Sequence, residues 1–209
     1  MHILHIVCSP RDASHSRQMS ADLVARLCVH HPGASITRRD LGRDPLPHTS
    51  AGYAAALSSP AAMAGAAPAA LQSSEPLIRE VEAADALVIG TPMHNFTVPS
   101  VFKAWIDQIL RMGRTMGVAS SGAKIGLLQD KPVYIAIASG GVFSGPRARQ
   151  PDFLTPYLQA AFGCVGLTSL QFFALQATAL LDEAQLAAER RALVASMEMP
   201  ALGRSRGFA

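Results

Sequence analysis

Hydroxyl groups are concentrated in one short segment near the start of the chain. Ser9, Ser14 and Ser16 lie close together, and His15 stands between the last two. Apolar residues at helical spacing follow Ser16, so the N–H groups of a helix N-terminus should lie beside these hydroxyls. This combination can bind a phosphate monoester, to which Arg17 can add positive charge. The plainer role for Ser14 or Ser16 is to cap the helix.

The same segment lacks the glycine motifs that hold larger phosphate ligands. It contains neither Gly-x-Gly-x-x-Gly nor Gly-Lys-Ser. In those motifs the glycines let the backbone wrap closely around a pyrophosphate or a triphosphate. Dinucleotides and nucleoside triphosphates are therefore disfavoured as ligands of this segment.

A second segment, Pro92 to Phe96, has the sequence Pro-Met-His-Asn-Phe and follows the apolar residues 86–89. Met93 and Phe96 offer polarisable and flat surfaces that suit an aromatic ring. Asn95 offers an amide that suits the polar edge of such a ring. The plainer interpretation is that the methionine and the phenylalanine fill the core.

A histidine, His94, stands in the middle of the second segment. Contact with a ligand and simple surface exposure are equally compatible with the sequence around it. No second histidine, cysteine or carboxylate stands at metal-binding spacing from it. A metal site is therefore not predicted.

The third segment begins with Ser139, Gly140 and Gly141, directly after the apolar residues 133–138. Glycine lets the backbone approach a ligand closely and adopt positive φ. The amide groups of this segment can therefore reach the edge of a ring, although a plain turn explains two glycines as well. Phe143 is placed where it can cover the ligand or a neighbouring subunit.

Apolar runs alternate with stretches of helical spacing, and this order predicts an α/β fold. The predicted arrangement is a flavodoxin-like three-layer sandwich: a five-stranded parallel sheet, order 2-1-3-4-5, with helices on both faces. The three segments then meet at the carboxyl ends of the first, third and fourth strands. The predicted strands are residues 3–7, 35–40, 86–90, 133–138 and 167–175. One predicted helix starts near residue 16. The other main helices are predicted at residues 74–82, 99–112, 152–162 and 182–197.

The remaining stretches are predicted from their composition. Residues 43–73 are rich in alanine and interrupted by proline, which predicts short helices on the surface. Residues 113–130 are rich in glycine and serine and are predicted as a long loop. The length of 209 residues fits one domain, taken as residues 1–200, with a C-terminal tail at 201–209.

Bulk properties exclude several classes of function. The net charge is +3 without a run of lysine or arginine, so binding to nucleic acid is not predicted. No apolar run approaches the roughly 20 residues that span a membrane. Three widely spaced cysteines fit reduced thiols, and the N-terminus predicts a strand instead of a signal peptide. A cytoplasmic location is therefore expected.

The second segment and the helix after it resemble the signature of bacterial FMN-dependent NADH-azoreductases. The resemblance is carried by residues 92–96, by Pro99 and Ser100, by residues 103–107 and by Arg111, and it extends from residue 1 to about 197. It implies a homodimer with FMN near the subunit interface. It also implies which residues surround the phosphate, namely Ser9, Ser14, His15 and Ser16. The isoalloxazine would be lined by residues Pro92, Met93, His94, Asn95 and Phe96 and by Ser139, Gly140 and Gly141.

The chain departs from that family's pattern at three positions. Where the family usually has a tyrosine in the second segment, this chain has His94. Where the family often has an arginine before the glycine pair, this chain has Ser139, and Met116 stands where a phenylalanine is usual. The resemblance implies that NADH or NADPH reduces FMN, which then reduces quinones or azo compounds in a ping-pong scheme. His94, Asn95 and Phe143 are the residues expected at the reacting ring. Histidine exchanges protons near neutral pH, so His94 can donate one to the acceptor.

Other functions fit the same topology. A flavodoxin-type FMN-binding electron carrier is the main alternative. Such carriers resemble this fold but are typically strongly acidic, whereas this chain is slightly basic. A response-regulator-like domain needs clustered acidic residues after the first strand, where residues 8–10 have none. A quinone reductase that uses FAD stays open. The choice between NADH and NADPH stays open too, with Arg114 and Arg147 as candidates for contacting a 2′-phosphate.

Overall fold

The computed structural model describes residues 1–199, and most of its strands form one parallel sheet. The strands are β1 (His2–Val7), β2 (Ser35–Asp40), β3 (Ala86–Pro92), β4 (Met116–Val118), β5 (Lys124–Gly126), β6 (Val133–Ala138) and β7 (Leu170–Leu175). The sheet has the order β2-β1-β3-β6-β7, and every neighbouring pair is parallel. The prediction of a five-stranded parallel sheet is confirmed. The tail predicted at residues 201–209 lies outside the described residues.

Eight helices are assigned within residues 1–199, and they connect and flank the strands. They are α1 (His15–His30), α2 (Ala51–Ala56), α3 (Pro60–Ala64), α4 (Pro68–Leu71), α5 (Ser74–Ala83), α6 (Ser100–Ile109), α7 (Thr155–Val165) and α8 (Glu183–Ala195). Alternate residues of the central strands belong to two separate apolar clusters, as the period of two in a strand requires. One cluster includes residues of α5, α6 and α7. The other includes residues of α1 and α8.

The segment 113–130 is not the featureless loop that the sequence predicts. It contains β4 and β5, which pair with each other as an antiparallel two-stranded sheet. A turn with Gly122 at φ +83° joins them, and the N–H of Ala119 donates to the carbonyl of Ala123 at 2.8 Å. The two strands are too short to show the alternation that predicts a strand. Tertiary packing fixes them: a Cβ built on Gly126 would lie 2.0 Å from the backbone nitrogen of Gly166.

Three predicted helix boundaries are wrong by about three residues. The helix after the second segment ends at Ile109 instead of residue 112, because the hydroxyl of Thr115 donates to the carbonyl of Ile109 at 2.5 Å. The helix α7 begins at Thr155 and passes through Gly163, where the prediction ends it. The residue that ends it is Gly166, with φ +95°, as is common after a helix C-terminus.

The alanine-rich segment 43–73 forms α2, α3 and α4, as predicted. A tyrosine, Tyr53, anchors it to the rest of the domain. Its side chain is 2% exposed, and its hydroxyl lies 3.2 Å from the carbonyl of Gln108. The hydroxyl of Ser74 donates to the same carbonyl at 2.6 Å, so the carbonyl near the end of α6 binds both groups. These polar contacts join the segment to α5 and α6.

The helix α1 approaches the sheet very closely at Gly90 of β3. A Cβ built there would lie 2.5 Å from the hydroxyl oxygen of Ser20 and 2.7 Å from the carbonyl oxygen of Ser16. No other residue type fits such an approach without displacing the backbone of the helix. The first turn of α1 is therefore held against the carboxyl end of β3.

Gly90→Ala should lower the free energy of unfolding by about 1–3 kcal/mol, because the added methyl group overpacks the contact between α1 and β3. Gly163→Ala is the matched control, since its Cβ would meet nothing within 4 Å inside α7. That control should raise stability by up to about 1 kcal/mol. Denaturant unfolding measures both. Equal effects of the two substitutions would contradict the close packing at Gly90.

Candidate functional site

The three segments begin at neighbouring positions on one edge of the sheet. The strands β1, β3 and β6 are adjacent and parallel, so their carboxyl ends lie side by side. Val7 pairs with Gly90 and Pro92 pairs with Ala138 in register. The N–H of Met93 donates to the carbonyl of Ala138 at 2.8 Å, which joins the second segment to the third.

The first segment presents backbone donors that the protein itself does not use. Ser14 occupies the N-cap position of α1, yet its side chain makes no capping hydrogen bond. Its hydroxyl lies 3.0 Å from the hydroxyl of Ser16, and both side chains are buried. Within residues 1–199 the N–H groups of His15, Ser16 and Arg17 have no acceptor. Two hydroxyls and three amides at the positive end of a helix form a cradle for an anion.

The charge of Arg17 is used inside the fold, which differs from its expected contact with a phosphate. Its guanidinium donates to both carboxylate oxygens of Asp40, at 2.5 and 3.1 Å, and to the carbonyl of Ser9 at 2.5 Å. The bond from this guanidinium holds the pKa of Asp40 below its ordinary value. The backbone of Gly42 packs directly on that of Ser9. The conformation of the first segment is thus fixed by its contacts with the end of β2.

His15 is the first residue of α1 and is half-buried. Burial lowers the pKa of its imidazole, and the charges of Arg11 and Arg190 lower it further. These influences favour the neutral ring, which can serve as a hydrogen-bonding group. It lines a cavity of about 510 Å³ together with Gln18 and Glu183.

The second segment forms a tight turn between His94 and Thr97. The N–H of each donates to the carbonyl of the other, at 2.9 and 3.0 Å. The two central residues have positive φ, 48° at Asn95 and 72° at Phe96. Asparagine tolerates this conformation, but phenylalanine adopts it rarely, and such strain is typical of functional sites. Asn95 and His94 are exposed at this turn, and their side chains have no hydrogen-bond partner within residues 1–199.

Two residues with exposed aromatic side chains are joined through their backbones at this turn. Phe96 is 43% exposed and Phe153 is 60% exposed. The N–H of Phe153 donates to the carbonyl of Phe96 at 3.1 Å. Phe153 is not among the predicted site residues, because the contact joins positions far apart in the sequence and no local pattern marks it.

The glycine turn of the third segment has its carbonyl groups bound and three of its N–H groups free. The carbonyls of Ser139, Gly140 and Gly141 accept hydrogen bonds from the N–H groups of residues 177–179 at 3.0–3.3 Å. In the described part of the chain, the N–H groups of Gly140, Gly141 and Val142 have no acceptor. The turn therefore presents donors toward the carboxyl edge of the sheet.

Phe143 is placed differently from the covering role that the sequence predicts. Its side chain is 5% exposed and packs in the cluster with α6 and α7. The carboxamide oxygen of Gln176 accepts from the N–H of Phe143 at 2.8 Å and from that of Ser144 at 2.9 Å. Phe143 thus anchors the third segment to the apolar core.

Gln150 joins the second and third segments, and the sequence gives no signal of it. Its amide nitrogen donates to the sulfur of Met93 at 3.2 Å and to the hydroxyl of Ser139 at 3.0 Å. The side chain also lies against Gly141, where a Cβ would meet its oxygen at 2.5 Å. A glycine is required there because the glutamine occupies the space.

The two arginines considered for a 2′-phosphate differ in their surroundings. Arg114 is paired with Glu82 and lies 3.7 Å from Glu75, so its charge is already compensated. Arg147 is exposed and lines a cavity of about 520 Å³ beside the third segment. Of the two, Arg147 is the one placed near the candidate site.

Other features of the described residues lie away from the three segments. A cavity of about 1060 Å³ lies between α4 and α5 beside His2, at the amino end of β1. Within residues 1–199, no cluster of three or more His, Cys, Asp or Glu side chains could hold a metal ion. No helix in the same range is long and apolar enough to cross a membrane. The three cysteines are free.

The sheet order and the loops at its carboxyl edge define a class of fold. The family model described as flavodoxin-like fold matches residues 1–197. An azoreductase structure from Bacillus anthracis superimposes with a TM-score of 0.81, at 22% identity, over 93% of this chain and 97% of the other. A second structure, an FMN-dependent NADH-azoreductase from Bacillus anthracis in complex with FMN, has a TM-score of 0.75 at 21% identity, over 92% and 95% of the two chains.

Relatives with closer sequences narrow the family. An FMN-dependent NADH:quinone oxidoreductase 4 from Pseudomonas fluorescens is 47% identical over 87% of each chain. An FMN-dependent NADH:quinone oxidoreductase 2 from Cupriavidus pinatubonensis is also 47% identical, over 81% of this chain and 82% of its own. The chain belongs to the flavodoxin-like family that contains these FMN-dependent NADH:quinone oxidoreductases.

Ser14→Ala should lower the free energy of unfolding by about 0.5–1.5 kcal/mol, because it removes a buried hydrogen bond to Ser16. The side chain does not cap α1, so its further role is to bind an anion. Inorganic phosphate should therefore stabilise the unaltered protein against urea, and Ser14→Ala should lose most of that gain. Asp182→Ala is the matched control, since Asp182 accepts from the N–H of Gln185 at 2.8 Å in a capping box. It should lose about 1 kcal/mol but keep the gain from phosphate. An equal gain from phosphate in Ser14→Ala and in the unaltered protein would show that Ser14 does not serve a ligand.

Proposed function

We propose that the protein is an FMN-dependent NAD(P)H oxidoreductase that reduces quinones and azo compounds. The observation that carries the proposal is the set of backbone N–H groups without acceptors at two converging turns, one at the start of α1 and one after β6. The family membership supports the same activity, since the 47% identical relatives are FMN-dependent NADH:quinone oxidoreductases.

The residues present fit FMN at both of its polar ends. The buried hydroxyls of Ser14 and Ser16, with the amides of the first helical turn, suit the phosphate. Ser9 and the imidazole of His15 would complete this end of the site. The isoalloxazine would lie between the second segment, Pro92 to Phe96, and the third, Ser139 to Gly141. FMN bound there would supply the redox chemistry, accepting a hydride from NADH or NADPH and passing it to the acceptor.

The protein's own part is to orient the ring and to stabilise charge on it. The free N–H groups of Gly140 and Gly141 can donate to ring oxygens and nitrogens, where negative charge grows on reduction. The amide of Asn95 is exposed at the facing turn and can reach the same edge. Phe143 holds the third segment from the core side, so its role is support and not coverage of the ring.

The acceptor would bind over the exposed part of the site. Phe96 and Phe153 present flat apolar surface there, which suits quinones and azo compounds alike. Because the nicotinamide and the acceptor need the same face of the ring, they would bind in turn, as in a ping-pong scheme. His94, exposed on the same turn, would donate a proton to the reduced acceptor.

The remaining expectations also belong to this proposal. We take residues 1–200 as one domain with a tail at 201–209 and with helices on both faces of the sheet, which the two apolar clusters support. The proposed homodimer has support in the exposed apolar side chains of the hairpin β4–β5, such as Val118 and Ile125. The free cysteines suit the cytoplasm, where NADH is also present. No nucleic-acid partner is proposed, in keeping with the low net charge.

Steady-state oxidation of NADH with a quinone acceptor tests the function. The FMN-loaded protein should turn over on the order of 1 to 1000 times per second. The matched control is the same protein without FMN, which should be inactive. A flavodoxin-type carrier would bind FMN but would oxidise NADH no faster than free FMN does. That outcome would reject the proposed enzyme in favour of the carrier.

His94→Phe should lower quinone turnover about a hundred-fold at neutral pH, because the proton donor is lost while the flat surface is kept. Turnover of a quinone from about pH 5.5 to 8 is the measurement. His48→Phe, at an exposed position outside the three segments, is the control and should keep the turnover of the unaltered protein. Full turnover of His94→Phe across this pH range would exclude the role.

A further inference from the structure

The carboxamide of Gln150 has a fixed orientation at the junction of the second and third segments. Its nitrogen lies 3.2 Å from the sulfur of Met93 and 3.0 Å from the hydroxyl oxygen of Ser139. A thioether sulfur can accept a hydrogen bond but cannot donate one. The NH₂ end must therefore face Met93, and each of its two hydrogens has an acceptor. The chemistry of the contact excludes the flipped amide.

The oxygen of the same carboxamide is consequently directed toward the glycine turn. It would lie 2.5 Å from a Cβ on Gly141, so it rests against the backbone of that residue. Among residues 1–199 this oxygen has no hydrogen-bond donor. The neighbouring N–H groups of Gly140 and Val142 have no acceptor in the same range. One free acceptor thus stands beside several free donors.

This arrangement matches the pyrimidine edge of a flavin. That edge presents two carbonyl oxygens with the N3–H group between them, so it needs donors on both sides of an acceptor. The free N–H groups of the glycine turn suit the carbonyls. We propose that the side-chain oxygen of Gln150 accepts the hydrogen bond from flavin N3–H. This inference rests on the proposed function, because it assigns one further contact to FMN.

Asn95 is the competing acceptor. Its side chain is exposed, and no contact within residues 1–199 fixes the direction of its amide. The amide of Gln150 is held by two hydrogen bonds before any ligand arrives. A preorganised acceptor loses less conformational entropy on binding. The geometry therefore favours Gln150 for this contact.

The test compares the affinity of the protein for FMN and for 3-methyl-FMN, which lacks the N3–H group. Quenching of flavin fluorescence gives both dissociation constants, and their ratio isolates the contact at N3. The unaltered protein should bind 3-methyl-FMN about ten-fold more weakly than FMN. In Gln150→Ala and in Gln150→Met, which keeps the length of the side chain, the ratio should fall to about two or below. Arg149→Ala, an exposed neighbour, should keep the ratio of the unaltered protein.

Each other result decides against a specific claim. An unchanged ratio in both Gln150 variants overturns the assignment, as does a ratio that collapses in Asn95→Ala but not in the Gln150 variants. In either case the unaltered protein still binds FMN and reduces quinones, so the proposed function stands. If the unaltered protein binds neither flavin, the proposed function and this assignment both fail.

Discussion

The contact between α1 and β3 at Gly90 is the constraint on which the rest of the site depends. It brings the first turn of the helix against the carboxyl end of a central strand, with room for a hydrogen atom and for nothing larger. The N–H groups of that turn then face the same edge of the sheet from which the segments after β3 and β6 begin. A different spacing between helix and strand would move the anion cradle away from the other two segments.

The protein uses its own polar groups to shape the site and leaves others free for a ligand. Arg17 binds Asp40 and a carbonyl of the first loop, Gln176 binds the amides after Phe143, and Gln150 joins Met93 to Ser139. These bonds fix the positions of the three segments. The groups left free include the backbone N–H donors at the helix start and at the glycine turn, and one fixed acceptor, the side-chain oxygen of Gln150. That pattern suits an anionic phosphate and a ring edge rich in carbonyl groups.

The sequence predicts what depends on local pattern. Apolar runs in a parallel sheet are nearly continuous, so strands such as Val133–Ala138 are predicted to the residue. The convergence of the three segments follows from topology alone. Contacts between distant residues are not predictable in this way, and they account for the hairpin β4–β5, the internal pairing of Arg17 and the positions of Gln150 and Phe153. Phe143 belongs to the same class, because only tertiary packing shows that it lies in the core.

Titration calorimetry of the purified protein with FMN and with riboflavin tests the central claim most directly. If the start of α1 binds the phosphate, FMN should bind with measurable heat and riboflavin should bind at least about a hundred-fold more weakly, because it lacks the charge-assisted hydrogen bonds of the phosphate. A protein that gives no heat with FMN, or that binds both compounds equally well, would contradict the account.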